Sequence, residues 1–200
     1  KDKRIRFFSS KKKLNLYHAR NLAIKKTKGH YVCFLDIDDL YHKDKLKLQI
    51  NFLKKNREFK IIYSNYTVLD EIKKKKYIKY SKKLKSGFIT QSLLKDYTIG
   101  ILTALIDKKI IKKKFFNDKY SIVGDFDLFL KLSLKNKIAY MKKPLSIYRI
   151  HSNNYSTNNL KEYYNELRNW ISKNRYIFKK YTFLYLYYYL IKLRIKLILK

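Results

Sequence analysis

Tyr31-Val32-Cys33-Phe34-Leu35-Asp36-Ile37-Asp38-Asp39-Leu40-Tyr41 is an apolar run that ends in three carboxylates. Its β-branched and aromatic residues suit a buried strand. Residues 43–55, which follow, have helical character, with Leu46, Ile50 and Leu53 on one stripe. Asp36, Asp38 and Asp39 are therefore expected where a central strand leaves its sheet. In open α/β sheets that carboxyl edge is where ligands bind. Alternate side chains of extended backbone share a side, so Asp36 and Asp38 should face one way, and Ile37 and Asp39 the other. Two carboxylates at such a corner suit a hard divalent cation, which takes oxygen ligands. The bland alternative is one helix-capping Asp beside two solvated ones.

The 200-residue chain carries 49 Lys and Arg against 15 Asp and Glu, a formal net charge of +34. Three acids within four residues of so basic a chain argue against accident. Only eight of the basic residues are Arg. Specific nucleic-acid recognition leans on the Arg fork, so the charge reads as general lysine enrichment, with no specific nucleic acid as partner. It still favours anionic partners: nucleotide diphosphates, acidic glycans and anionic lipid surfaces. Apolar residues make up 46% of the chain, enough for a core and against global disorder. The lone cysteine, Cys33, forms no internal disulfide and fits a reducing cytoplasmic setting. No secretory signal is visible, and a first residue of Lys1 rather than Met suggests a fragment.

Upstream of the acidic corner, residues 5–8 read as a strand. Residues 14–27 read as a helix, with Leu16, Ala19, Leu22 and Ala23 near helical spacing and Gly29 as its left-handed cap. Downstream, residues 61–69 read as a strand, the lysines at 73–76 as a hairpin tip, and 77–80 as the return strand. A short helix is expected at 88–95, a strand at 99–107 and a further short helix at 108–116. Residues 121–136 form a helix with Asp125 and Asp127 in its first turn, where the helix dipole favours negative charge. Two short strands, 138–141 and 145–148, flank the only proline, Pro144.

After residue 158 the composition changes, and the chain divides into 1–158 and a helical, aromatic and basic extension, 159–200. Residues 160–180 read as an amphipathic helix carrying the only tryptophan, Trp170. The apolar stretch at 182–191 is too short to span a bilayer, which takes ~20 residues. Tyrosines beside Lys and Arg suit an anionic membrane surface; packing on the domain or on a second subunit is the alternative.

Ala19-Arg20-Asn21, followed by Gly29-His30-Tyr31 and the acidic run through Asp39, resembles family 2 glycosyltransferases of the GT-A fold. Gly124-Asp125-Phe126-Asp127-Leu128 is similar to that family's second block, usually Glu-Asp-Tyr-Asp-Leu before an amphipathic helix. Tyr148-Arg149-Ile150-His151 resembles a third, Tyr-Arg-x-His. Three blocks in order, across residues 4–156, are far more specific than any one alone. The resemblance implies an α/β, Rossmann-like mixed sheet flanked by helices. It implies transfer of a sugar from a nucleotide-diphosphate donor to a glycan or lipid-linked glycan hydroxyl, with inversion. The setting implied is cell-surface polysaccharide or lipopolysaccharide synthesis, cytoplasmic or peripheral at the inner face of the cell membrane.

On this resemblance Asp38 binds Mn²⁺ or Mg²⁺, and Asp36 binds the donor's ribose or assists at the metal. Asp125 is the general base, Arg20 contacts the donor's phosphates, and His151 contacts the metal or the diphosphate. The plain alternatives are a surface Arg20 and a hydrogen-bonding loop His151. Two departures stand out. Gly124 replaces the family's Glu, which bears on acceptor binding and on the tuning of Asp125. The family's first strand, helix and second strand, which pocket the nucleotide base, have no counterpart; a βαβ unit needs ~30 residues. The fold is thus expected to be incomplete at its N-terminus, with exposed sheet edge and apolar surface. Two other readings compete. One is a non-catalytic remnant of such an enzyme; the other is a basic protein that binds nucleic acid or anionic lipid, which leaves the acidic clusters unexplained.

Overall fold

The computed structural model describes residues 2–111 and 115–199. In chain order come α1 (Leu16–Lys26), β1 (Tyr31–Val32), β2 (Leu40–Tyr41), α2 (Lys45–Lys55), β3 (Phe59–Asp70) and β4 (Lys75–Ile78). Then follow α3 (Thr90–Lys95), β5 (Ala104–Asp107), α4 (Gly124–Ser133), β6 (Lys137–Ile150), α5 (Tyr155–Asn158), α6 (Leu160–Asn174) and α7 (Leu184–Ile198). The sheet runs β1-β5-β3-β6-β2, with β4 pairing β3 as a hairpin. β3 and β6 are parallel and the other pairings antiparallel, so the sheet is mixed.

Strand alternation sorts the core into two layers. Ile61 and Tyr63 of β3, Ala104 and Ile106 of β5, and Ile138 and Tyr140 of β6 join a large cluster with residues of α1, α3, α4, α6 and α7. Their neighbours Ile62, Leu105 and Ala139 turn to the other face and pack with Leu53 of α2. Burial on both faces explains why residues 61–65 read as a continuous buried run. Trp170 of α6 lies at the centre of the large cluster, with ring contacts to Phe126, Phe178 and Phe183.

Several expectations are corrected. The strand before the acidic corner is not central: β1 has two residues and pairs only with β5 at one end of the sheet. Beyond Val32 the chain crosses to β2 at the other end, and the Tyr41 hydroxyl, donating to the Phe34 carbonyl at 2.5 Å, ties the crossing together. Residues 5–8 are not a strand, because no neighbouring backbone among the described residues pairs with them; Ile5 is 74% and Phe7 86% exposed.

In α1 the buried stripe is Tyr17, Arg20, Asn21 and Ile24, while Leu16 and Leu22 face outward. The helix ends on Thr27 in extended geometry, its hydroxyl donating to the Ile24 carbonyl at 2.8 Å; Gly29 takes no left-handed conformation. α2 buries Lys45, Gln49 and Leu53, and Leu46 is exposed. Residues 101–103 form a 3-10 turn rather than strand, closed by the Thr103 hydroxyl donating to the Gly100 carbonyl at 2.6 Å. A 3-10 turn, Lys108–Ile110, stands where a helix is expected at 108–116, and residues 112–114 of that stretch lie outside the described residues. The two strands around Pro144 are one strand, β6. Its register against β3 jumps from Met141 to Pro144, so the proline sits at a bulge, where its missing N–H costs no ladder bond.

Candidate active site

The acidic corner is a turn. The Asp39 N–H donates to the Asp36 carbonyl at 3.1 Å. All three carboxylates therefore border one cavity, against the expectation that Asp39 faces away from the other two. Asp36 accepts from the Arg20 guanidinium at 2.5 Å. Arg20 is only 8% exposed. Besides Asp36, its guanidinium lies over the rings of Tyr17, Phe34 and Phe116, at 5.6, 5.7 and 5.9 Å from their centroids. Paired charge and aromatic faces make a buried guanidinium tolerable. Asn21 is structural: its side chain donates to the Phe116 carbonyl and accepts the Phe116 N–H, each at 2.9 Å, and so fixes that ring.

Asp38 meets His151 just beyond the end of β6, Oδ2 to Nε2 at 2.9 Å. His151 is held in turn by its N–H donating to Asn154 Oδ1 at 2.6 Å. Asp39 is buried and accepts the Arg149 N–H at 3.1 Å. Burial pushes its carboxyl up to about 6; the Arg149 N–H opposes this, and the charges of Asp38 and Asp36 add to it. The Arg149 side chain turns instead to Glu71, at 2.7 Å.

Asp125 comes from the first turn of α4. Burial pushes it up to about 6, opposed by the Phe126 N–H it accepts at 2.8 Å and by the charge of Arg20. The turn before it is held from outside. Glu166 of α6 accepts the N–H groups of Ser121, Ile122 and Val123 at 2.5, 2.9 and 3.0 Å, pinning the turn that leads into α4. Tyr17 holds the same turn from α1, its hydroxyl 2.8 Å from the Ile122 carbonyl and 3.5 Å from Asp125 Oδ1. A Cβ on Gly124 would lie 2.5 Å from the Tyr17 ring, so the tyrosine takes the space of a side chain at 124. Asp127 does not line the cavity. It accepts from the Trp170 indole and from Lys131, each at 2.7 Å, and joins α4 to α6.

The cavity, about 860 Å³, is lined by Arg20, Asp36, Asp38, Asp39 and Asp125, with His151 reaching it through Asp38. Four of the five residues expected at the site from sequence thus share its wall. Tyrosines 17, 66, 97, 148, 155, 163 and 189 supply much of the remainder. Of these only Tyr148 stands in a motif, the Tyr-Arg-x-His block; in a chain with 20 Tyr the others do not stand out, although Tyr17 lies three residues before Arg20 on one helix face. The Tyr97 hydroxyl is buried and finds no hydrogen-bond partner among the described residues.

Among the described residues no three His, Cys, Asp or Glu side chains gather as a closed metal cage. Asp38 and His151 offer an oxygen and a nitrogen, while Arg20 occupies Asp36. One carboxylate oxygen and one imidazole nitrogen fall short of a divalent cation's shell, so an ion held there would draw its other ligands from water or a bound ligand.

The pattern of glycosyl transferase family 2 matches residues 1–118, more than half of the chain. The chain belongs to that family. An uncharacterized glycosyltransferase of Rickettsia bellii is 31% identical over 183 residues, 90% of this chain and 26% of its own length. The Escherichia coli UDP-Glc:alpha-D-GlcNAc-diphosphoundecaprenol beta-1,3-glucosyltransferase WfgD is 27% identical over 169 residues, 80% of this chain and 62% of its own. The chain thus spans about a quarter of the Rickettsia relative. The crystal structure of Staphylococcus aureus TarS 1-349 superposes with a TM-score of 0.57 at 17% identity, over 77% of this chain and 43% of that one. The fold is the GT-A type, a mixed sheet flanked by helices.

Proposed function

We propose that the chain forms the catalytic body of a metal-dependent, inverting glycosyltransferase acting on a nucleotide-diphosphate sugar. The observation that carries this reading is the meeting of Arg20–Asp36, Asp38–His151 and Asp125 on one cavity. Arg20 faces the donor's diphosphate with positive charge, and Asp36 accepts from its ribose hydroxyls. Asp38 and His151 hold Mn²⁺ or Mg²⁺. When bound, the cation neutralises charge developing on the leaving nucleotide diphosphate. Asp125 takes the proton of the acceptor hydroxyl. The acceptor oxygen then bonds to the anomeric carbon as the bond to the diphosphate breaks on the opposite side, which inverts the centre. A base raised to about 6 suits that proton transfer near neutral pH.

The activity of WfgD supports UDP-glucose as donor and a lipid-diphosphate-linked sugar as acceptor. Such an acceptor belongs to cell-surface polysaccharide or lipopolysaccharide synthesis. An acceptor of that kind supports a setting at the cytoplasmic face of the membrane.

The test is transfer of glucose from UDP-glucose to a short-chain lipid-diphosphate N-acetylglucosamine, with the product anomer read by proton NMR. The β product is expected, and Asp125→Asn should lower kcat by about 10²–10⁴-fold. An α product would refute inversion. Undiminished turnover by Asp125→Asn would remove the base.

A further inference from the structure

α7 has two apolar faces. At about 100° per residue, Leu186, Leu190 and Leu193 share one side, each no more than 8% exposed and packed into the large core cluster. On the opposite side Leu184, Tyr188, Ile191, Ile195 and Ile198 recur at spacings of four and three residues. They are 69%, 57%, 58%, 50% and 75% exposed. A helix that packs on one side alone carries polar residues on the other; this one does not. Lys192 and Lys196 flank the outward stripe on one side and Arg194 on the other, all exposed. The Lys192 ammonium sits 4.4 Å from the centroid of the Tyr188 ring, directly on the stripe.

Charge decides what this face meets. No Asp or Glu follows Glu166 in the sequence. A second copy seated on the stripe would set lysine against lysine, without the acidic partners that helical seams use at their flanks, in a chain of net charge +34. Among the described residues no helix is long and apolar enough to cross a membrane. An apolar stripe edged by exposed cations matches an anionic phospholipid surface. There the apolar side chains enter the headgroup boundary while the lysines reach the phosphates.

We propose that the outward face of α7 is the membrane-docking surface, seated on anionic phospholipid through Leu184, Tyr188, Ile191, Ile195 and Ile198. The cavity adjoins it. Tyr189, on the Lys192–Lys196 flank of α7, lines the cavity and lies 3.3 Å from the Tyr163 hydroxyl. Docking therefore sets the cavity wall beside the bilayer, where an acceptor presents its sugar while its lipid tail stays in the membrane. This last consequence rests on the glycosyltransferase reading; the docking itself does not.

The test is flotation of the chain with vesicles of phosphatidylglycerol and phosphatidylcholine, and of phosphatidylcholine alone, at 0.15 M salt. The chain should float with the anionic vesicles and not with the neutral ones. Ile191→Ser/Ile195→Ser should partition at least about tenfold less, with an unchanged thermal midpoint, because both side chains stand half in solvent. Lys192→Gln/Lys196→Gln should also lose about tenfold or more. Three results would overturn the proposal. The first is no flotation with anionic vesicles. The second is undiminished flotation of Ile191→Ser/Ile195→Ser, which would leave charge alone. The third is a dimer in sedimentation equilibrium that the same double variant dissociates, making the face a contact between copies. UDP binding by the isoleucine variant, measured alongside, should match the parent. Its absence in both, with the parent still floating, would count against the catalytic reading only.

Discussion

Asp125 is costly to ionise where it sits. Burial raises it from an ordinary 3.8 to about 6, because the charged form gives up water and recovers less from the Phe126 N–H, the charge of Arg20 and its own backbone N–H. Below about pH 4 folded and unfolded chains both hold the proton, and the site's contribution to stability is complete. Between about pH 4 and 6 the unfolded chain ionises first and that contribution is lost. Asp125→Asn should therefore stabilise the protein at pH 7 by about 1–3 kcal/mol. The gain is read from urea midpoints, and the two proteins should converge below pH 4. Sugar transfer should show the opposite preference, climbing through about pH 6 as the carboxylate forms. Gly124 next to it is fixed by sterics. Gly124→Ala drives a methyl against the Tyr17 ring and should cost about 1–3 kcal/mol. Adding Tyr17→Leu should recover part of that loss, a coupling seen in a double-mutant cycle. The same contact gives a physical reason for Gly where the family resemblance has Glu: the ring already fills the space.

The element that aims Asp125 is held by a carboxylate 43 to 45 residues further along the sequence, since the Glu166 side chain takes three N–H groups ahead of α4. Glu166→Ala leaves those donors without a protein partner and should destabilise by about 1–3 kcal/mol. Amide exchange at residues 121–123 should quicken; unchanged exchange there would show that solvent serves the donors equally well. Nothing in the sequence marks Glu166, because such a bond depends on how α6 lies over α4. The helical stripes depart from the apolar rule for a related reason. An apolar rule selects Leu46 for the core, yet α2 buries Lys45 and Gln49, which reach the carbonyls of Ala104 and Thr103 beneath them. In α1 it selects Leu16 and Leu22, yet Arg20 and Asn21 point inward to Asp36 and Phe116. Long elements with a strong period, α4, β3 and α6, were legible. The two-residue strands β1 and β2 were not, since each exists only through a partner strand far along the chain.

Across the whole molecule, the motif residues lie on α1, the crossing between β1 and β2, the start of α4 and the end of β6, and the sheet brings them to one cavity. That they belong to one site is legible from residue type and order. Their pairing is not: that Arg20 would engage Asp36, leaving Asp38 to His151, follows from the turn at 36–39, which breaks the strand alternation assumed for it. Calorimetric titration of UDP into the chain tests most directly the proposed division of labour between Asp36 and Asp38. The titration is run with Mn²⁺, without metal, and with Asp38→Asn. Binding that requires Mn²⁺ and weakens at least about tenfold, ~1.4 kcal/mol, in the variant is the predicted result. Binding that ignores both the metal and Asp38, or no binding by a chain shown to be folded, would contradict it.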